Sequence, residues 1–134
     1  MGVSQVDLGA GEQRRPGIPD GPLAEVLIGP DRGLGVGAVQ ITVAPGAGMP
    51  VHDHGPSDAL LIPLAGAVRL LDADGRAFEA GAGTVVAIPR GERVRLENVG
   101  SEEARLVAVF SPADFVGDVQ RWPLAGHPAA RACR

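Results

Sequence analysis

The feature that most constrains the fold is a series of short strand-like runs, each ended by glycine or proline. Between residues 24 and 110 these runs recur roughly every 8 to 12 residues, a spacing typical of all-β sandwiches and barrels. In the run Gly35–Val43, the side chains of Val39, Ile41 and Val43 share one face, because residues two apart in a strand point the same way. The pattern therefore predicts an all-β sandwich or barrel.

The predicted strands account for most of the chain. They are Ala24–Ile28, Gly35–Val43, Val51–His54, Ala59–Leu64, Val68–Leu71, Arg76–Ala80, Thr84–Ile88, Arg93–Val99 and Arg105–Phe110. The sequence DADG at 72–75 is a hairpin signal. We predict an N-terminal tail or strap at 1–22, a barrel at 23–111, and a short helix followed by a tail at 112–134.

The C-terminal helix is predicted from its start signal and its apolar stripe. Ser111 suits the N-cap and Pro112 the first helical position. Phe115, Val119 and Trp122 then recur at helical spacing. We interpret the stripe as packing that closes one end of the barrel. The alternative is a lid whose aromatic rings touch a bound ligand.

Composition excludes several classes of function. The chain has 134 residues, which suits one domain, and its net charge of −4 argues against a nucleic-acid surface. No apolar run approaches the roughly 20 residues of a membrane span, and the N-terminus does not resemble a signal peptide, so we expect a cytoplasmic protein. The absence of lysine excludes a Schiff base, and no nucleotide cofactor is expected. The single cysteine, Cys133, is interpreted as incidental.

The segment 46–66, GAGMPVHDHGPSDALLIPLAG, holds two of the three histidines. In a strand Val51–His54, the side chains of His52 and His54 point to one face and Asp53 to the other. Asp58 follows closely in the sequence. Two neighbouring imidazoles beside a carboxylate indicate a metal site, an acid–base site, or the remnant of one.

Two motifs in this part of the chain resemble those of the cupin superfamily. The matching positions are Gly46, His52, His54 and Gly66 in the first motif, and Gly83, Pro89, Gly91 and Asn98 in the second. The resemblance implies a single cupin double-stranded β-helix, which is a small jelly-roll-like barrel. It also implies a homodimer and a role as a tailoring enzyme of secondary metabolism.

The sequence departs from the cupin pattern at two metal ligands. Ala59 stands at the position of the family's glutamate, and Val94 at that of its third histidine. His52 and His54 remain as metal ligands, with Asp58 as a third candidate; His127 is a further histidine in the tail. Two ligands hold a metal poorly, so we expect no cofactor or a weakly held divalent metal, such as Fe, Mn, Ni, Cu or Zn.

Three functions are compatible with these residues. The first is a small-molecule enzyme that uses His52, His54 and Asp58 for acid–base catalysis of cyclisation, isomerisation or dehydration in an apolar pocket. The second is a metal-dependent oxygenase of the non-haem iron type with the same three residues. The third is a cupin that binds or senses a small molecule without chemistry. In each case we expect a small apolar or mixed-polarity organic ligand.

The pocket lining is also predicted from the strand pattern. Its predicted residues are Met49, Ala59, Leu61, Val94, Leu96, Asn98, Phe110, Trp122 and Gln40. Val94 is expected to face the pocket and to make it drier where a metal would sit. Asn98 has the alternative of holding a turn, and the side of the sheet that Gln40 faces is left open.

Overall fold

The computed structural model describes residues 2–125, which form two antiparallel sheets and one short α-helix. In chain order the elements are β1 (Gln13–Arg14), β2 (Leu23–Ile28), a 3₁₀ helix (Pro30–Arg32), β3 (Gly37–Val43), β4 (Gly48–His52), β5 (Asp58–Ala65), β6 (Ala67–Leu71), β7 (Ala77–Gly81), β8 (Val86–Ile88), β9 (Val94–Glu97), β10 (Ala104–Ser111) and α1 (Asp114–Val119). Among the described residues, no helix has the length and hydropathy needed to cross a membrane.

The two sheets lie face to face around one core. The larger sheet has the strand order β1-β2-β3-β10-β5-β8, and the smaller sheet has the order β4-β9-β6-β7. At the centre of the larger sheet, Ala108 of β10 pairs with Val39 on one side and with Leu61 on the other. The predicted all-β, double-sheet architecture with a short C-terminal helix is thereby confirmed.

Strict alternation of side chains builds the core. In β10, Ala104, Leu106, Ala108 and Phe110 are buried, while the residues between them are only partly buried. Alternation places these four side chains on the face that packs against the smaller sheet. Phe110 is among the largest fully buried side chains, and burial of one such side chain contributes about 1.5–3 kcal/mol to folding. The residues that alternate with a period of two in the sequence thus form the inner face of the sheet.

The turn between β5 and β6 depends on a glycine. Gly66 has a φ of +67°, and a Cβ atom there would lie 2.5 Å from the Glu103 carbonyl oxygen. Residues with a side chain rarely adopt this conformation, and the close approach of the backbone leaves no room for one. The glycine of the first motif therefore ends the strand that follows the histidine pair.

The helix begins later than its start signal predicts. Ser111 is the last residue of β10, where it pairs with Asp58, and its hydroxyl donates a hydrogen bond to the Gly35 carbonyl oxygen at 3.1 Å. The predicted N-cap at Ser111 is wrong, because strand pairing and this bond hold the residue in the sheet. Ala113 occupies the N-cap without a side-chain hydrogen bond, and α1 starts at Asp114.

The N-terminal segment forms the edge of the larger sheet and lies beside the end of the described chain. Arg14 of β1 forms an isolated bridge with Leu124, and the Arg15 amide donates to the Pro123 carbonyl oxygen at 2.9 Å. The Ala125 amide donates to the Gln13 carbonyl oxygen at 2.8 Å. The two ends of the described chain therefore lie side by side.

A buried carboxylate holds this segment on the outer face of the larger sheet. Glu25 is only 1% exposed and accepts hydrogen bonds from the Gly9 and Gly11 amides. The Gln40 amide nitrogen also donates to Glu25 at 2.9 Å, and the Gln40 oxygen accepts from Arg105. Gln40 thus lies on the outer side of the sheet and is not part of the inner pocket, because these polar partners all lie outside.

Candidate functional site

His52 stands at the end of β4 with one ring nitrogen already engaged. Its Nδ1 lies 2.8 Å from the Pro50 carbonyl oxygen. A carbonyl oxygen can only accept, so Nδ1 carries the proton in this contact. In the neutral ring, Nε2 then holds the free lone pair. The backbone of β4 therefore defines which nitrogen of His52 can take up a proton.

His54 lies in the loop after the strand, not in the strand itself. The loop turns where Asp53 Oδ1 accepts a hydrogen bond from the Gly55 amide at 2.9 Å, and Gly55 has a φ of +58°. The prediction that a strand to His54 aligns both imidazoles is wrong, since β4 ends at His52. The turn nevertheless brings the two rings to a centroid distance of 5.0 Å, edge to face.

The surroundings of His54 favour its neutral form. The residue is 6% exposed, and its ring lies 5.5 Å from Phe110 and 4.8 Å from Phe115. Burial, and next the proximity of His52, lower the pKa of His54 from 6.5 to about 4, while Asp53 acts in the opposite direction. Its Nδ1 is buried without a hydrogen-bond partner within residues 2–125. His54 is therefore neutral at pH 7 and has an unused polar atom.

The two histidines line an apolar cavity between the sheets with a volume of about 40 Å³. The aliphatic side of the lining comes from Pro22, Ala24, Val39, Ile41, Met49, Leu61, Leu70, Ile88, Val94, Leu96, Ala108 and Val119. Phe110, Phe115 and Trp122 complete it. Apart from the imidazoles and the Trp122 indole, the lining offers no polar side chain in the described part of the chain, so water gains little by entering.

Most of the predicted pocket residues lie in this lining. Met49, Leu61, Val94, Leu96, Phe110 and Trp122 line the cavity together with the histidine pair. Ala59 is buried in β5 opposite Phe110 and Ile88, outside the cavity wall. Asn98 holds the turn after β9, where its amide donates to the Val43 and Glu102 carbonyl oxygens.

Asp58 is not brought to the histidine pair. Its side chain is half exposed and binds Arg90 through the backbone amide at 2.8 Å and the guanidinium at 3.1 Å. Hydrogen bonds from Arg90 lower the pKa of this carboxyl below its ordinary value of 3.8. The carboxylate is therefore engaged at the surface, and the turn that would direct it inward does not form.

The residues present do not fit the metal site of the fold. Within residues 2–125, no three side chains of the histidine, cysteine, aspartate or glutamate type lie together as a metal would need. Val94 is the register partner of His52, so an aliphatic side chain stands where a third nitrogen ligand would be expected. Stable sites use three or four protein ligands, and the cavity supplies two. His127 lies outside the described residues.

Three contacts of the site have weak signals in the sequence or none. Phe115, which belongs to the predicted apolar stripe, reaches the His54 ring. Ser57 is buried and its hydroxyl donates to the Pro112 carbonyl oxygen at 2.7 Å, 55 residues along the chain. The Arg14 guanidinium donates to the Trp122 carbonyl oxygen across 108 residues. Only the first could have been found from a local pattern.

Comparison with known proteins relates this geometry to one family. The profile of the cupin domain matches residues 39–110, which contain both motifs. Among curated proteins, none matches this chain in sequence. Similar solved structures include a predicted oxalate decarboxylase from Thermotoga maritima, at 18% identity and a TM-score of 0.71, covering 81% of this chain and 99% of that one.

Two further solved structures are also similar to this chain. The polyketide cyclase RemF from Streptomyces resistomycificus has 23% identity and a TM-score of 0.70, over 81% of this chain and 79% of its own. A Cupin 2 conserved barrel domain protein from Salinispora arenicola has 25% identity and a TM-score of 0.64, over 90% and 96%. The sequence profile covers more than half of the chain, and the sheets superpose with those of other cupins. The chain therefore belongs to the cupin family.

Proposed function

We propose that this protein is a small-molecule enzyme that moves protons with His52 and His54, in a cyclisation, isomerisation or dehydration. The observation that carries the proposal is a pair of imidazoles with different roles. His54 is buried and neutral at pH 7, because its pKa is about 4. The Nδ1–H group of His52 donates a hydrogen bond to the Pro50 carbonyl oxygen, which leaves Nε2 as the proton acceptor.

The chemistry common to these reactions is removal of a proton next to a carbonyl group. Nε2 of His52 accepts the proton as the C–H bond breaks, and the electron pair moves to the carbonyl oxygen. The neutral imidazole of His54 donates a hydrogen bond to that oxygen. In a cyclisation, the enolate carbon then bonds to a second carbonyl carbon of the substrate, whose oxygen takes the proton from His52. In an isomerisation the proton returns to another carbon, and in a dehydration it leaves with the β-hydroxyl group as water. Positioned acid–base groups of this kind contribute rate factors of about 10²–10⁴.

The dry wall of the cavity supports the same proposal. Aliphatic side chains such as Val94 and Leu96 border the histidine pair, so a bound substrate exchanges water for an apolar surface. One structural neighbour is a polyketide cyclase, and we propose a related class of reaction here, in the tailoring of secondary metabolites. Asp58 takes no part in the proposed step, because Arg90 holds it at the surface.

The proposal is tested by proton exchange, which does not require the natural substrate. Aryl ketones whose α-protons exchange slowly in deuterated buffer are incubated with the protein, and deuterium uptake is followed by NMR. We expect the wild-type protein to accelerate the exchange of at least one ketone in the panel. In His52→Gln, the acceleration should fall by about 10²–10⁴ while the circular dichroism spectrum stays unchanged.

Two results would contradict the proposal. One is exchange at the buffer rate for every ketone in the panel with the wild-type protein. The other is equal acceleration by the wild-type protein and by both His52→Gln and His54→Gln. Elemental analysis of protein purified without chelators accompanies the assay, and one bound metal per chain with metal-dependent exchange would favour the oxygenase alternative.

A non-catalytic binding function is the second candidate, and the aromatic rings around His54 favour it. A volume of about 40 Å³ is small, and aromatic rings surround His54. A binding protein should gain thermal stability with a ring-bearing ligand and cause no proton exchange. The homodimer and the cytoplasmic location stay predictions from the sequence.

A further inference from the structure

The cavity at the histidine pair is too small for an organic substrate as it stands. Its volume is about 40 Å³, whereas sites for small organic molecules commonly measure roughly 300–1,000 Å³. Phe115 and Trp122 belong to its wall, and both side chains are only half-buried. They lie on the segment 112–125 that follows the last strand, and within the described residues this segment pairs with a strand only at its end, where residues 123–125 bond to β1.

Phe115 occupies the place where a ligand ring would meet the histidine pair. Its ring lies edge to face with His54 at 4.8 Å and tilted against Phe110 at 5.0 Å. The chain has only four aromatic residues of the Phe, Tyr and Trp types, and three of them, Phe110, Phe115 and Trp122, line this cavity. A planar ring in place of Phe115 regains the same edge and face contacts, which a saturated ring of equal size does not.

The N-terminal strand holds this segment in place. Arg14 Nη1 donates to the Trp122 carbonyl oxygen at 2.6 Å, and the Arg15 amide donates to the Pro123 carbonyl oxygen at 2.9 Å. Arg14 is the residue of the strap whose side chain bridges the two segments, whereas the Arg15 side chain turns to the Gly21 carbonyl oxygen. The strap therefore acts on the wall of the cavity.

Ser57 joins the other end of the segment to the histidine loop. Its hydroxyl donates to the Pro112 carbonyl oxygen at 2.7 Å and accepts from the Phe115 amide at 3.3 Å. Its own amide donates to the His54 carbonyl oxygen at 3.1 Å. The segment is thus hinged next to His54 and fastened at Trp122.

We infer that residues 112–125 form a lid over the histidine pair, with Phe115 as the plug and Arg14 as the latch. The ligand carries a planar aromatic or conjugated ring, which replaces Phe115 against His54 and Phe110 when the lid opens. This ligand is the substrate of the function proposed above, and in that respect the inference rests on it. The lid itself is tested by binding alone.

The latch is tested with the intrinsic fluorescence of the chain. Trp122 is the only tryptophan and there is no tyrosine, so emission reports on the lid alone. Arg14→Ala should make Trp122 more accessible to acrylamide and should speed the association of 2-naphthol roughly three- to tenfold, as expected for one lost hydrogen bond. Arg15→Ala is the matched control and should stay close to the wild-type protein. Equal behaviour of the two variants would overturn the latch.

The plug is tested by calorimetry with two ligands of similar size. Phe115→Ala should bind 2-naphthol roughly tenfold more tightly than the wild-type protein, because the ring no longer displaces Phe115. Decahydro-2-naphthol, which is saturated, should gain less. In the double variant with Arg14→Ala, the effect of the latch on association should disappear. Unchanged affinity for 2-naphthol, or an equal gain for both ligands, would overturn the inference.

Phe115→Leu covers the case in which the alanine variant does not fold. This variant keeps an apolar side chain at position 115 and removes the flat ring. It should therefore bind 2-naphthol more tightly than the wild-type protein but less tightly than Phe115→Ala. Affinity equal to that of the wild-type protein would count against the plug. Lid-controlled binding without proton exchange would leave this inference standing and remove the proposed function. Proton exchange that depends on His52 but is unchanged by substitution of Phe115 and Arg14 would support the proposed function and remove this inference.

Discussion

Strands β4 and β9 lie side by side in the smaller sheet and form two adjoining parts of the cavity lining, a histidine wall and a valine wall. His52 of β4 and Val94 of β9 are register partners, yet one carries an imidazole and the other an isopropyl group. The histidine wall supplies nitrogen atoms that can exchange protons. The valine wall is apolar and excludes water, and this desolvation contributes to the lowered pKa of His54. The difference shows how a cupin barrel that keeps two histidines beside an aliphatic wall holds His54 neutral at pH 7.

The strongest way to break this contrast is to place a nitrogen ligand on the dry wall. Val94→His brings a third imidazole beside His52 on the neighbouring strand, and we expect the affinity for Zn²⁺ to rise by about two orders of magnitude or more, since stable zinc sites use three or four protein ligands. Isothermal titration calorimetry measures the change.

Leu96→His is the matched control for this substitution. Leu96 lines the same cavity from the same strand but pairs with Met49, so its imidazole should add much less affinity. Equal zinc binding by the two variants, or none by Val94→His, would show that position 94 does not lie beside His52 as described.

The pH dependence of stability sharpens the contrast, with a smaller effect. The pKa of His54 is about 4 in the folded chain against 6.5 when exposed, so the unfolded chain takes up the proton first as the pH falls. The stability linked to His54 is complete above pH 6.5 and is lost between pH 6.5 and 4. The loss is about 3 kcal/mol, because each pKa unit corresponds to about 1.4 kcal/mol.

Urea denaturation at pH 7.5 and pH 4.5 measures this loss, with His54→Leu as the comparison. The variant keeps an apolar side chain among Phe110 and Phe115 and removes the titrating group. The free energy of unfolding should therefore fall less between the two pH values in the variant than in the wild-type protein. An equal fall in both proteins would mean that His54 is exposed to water in the folded chain.

The smallest effect is expected at Asp58, which stands outside both walls. Asp58→Asn removes an exposed ion pair with Arg90 that solvent screens. Proton exchange and the urea midpoint should stay close to those of the wild-type protein, and Arg90→Gln should behave alike. A loss of proton exchange in Asp58→Asn comparable with that of His52→Gln would show that the Asp58 carboxylate takes part in the reaction.

Much of the fold could be predicted from the sequence, because its signals are local. Alternation of apolar residues placed Val39, Ile41 and Val43 on one face of β3, and the glycine at 66 marked the end of β5. The helical stripe of Phe115, Val119 and Trp122 correctly predicted packing against the core. Each of these signals depends on residues a few positions apart, for which strand, turn and helix geometry are known in advance.

The failures occurred where a distant partner outweighed a local preference. Ser111 is a good N-cap by type, but Gly35 holds its hydroxyl and the sheet holds its backbone. Gln40 could face either side of the sheet, and its hydrogen bond to the buried Glu25 holds it on the outer side. Asp58 is close to the histidines in the sequence, but its hydrogen bonds to Arg90, 32 residues away, hold it at the surface.

By itself, the sequence determined the sheet class, the two histidines and the absence of their usual co-ligands at Ala59 and Val94. These are matters of residue type and spacing. Only the tertiary structure decided that His54 is neutral and that Phe115 covers it. The physical reason is that desolvation and ring contacts depend on side chains more than fifty residues apart in the chain, such as His54 and Phe110, which meet only when the sheets close around the cavity.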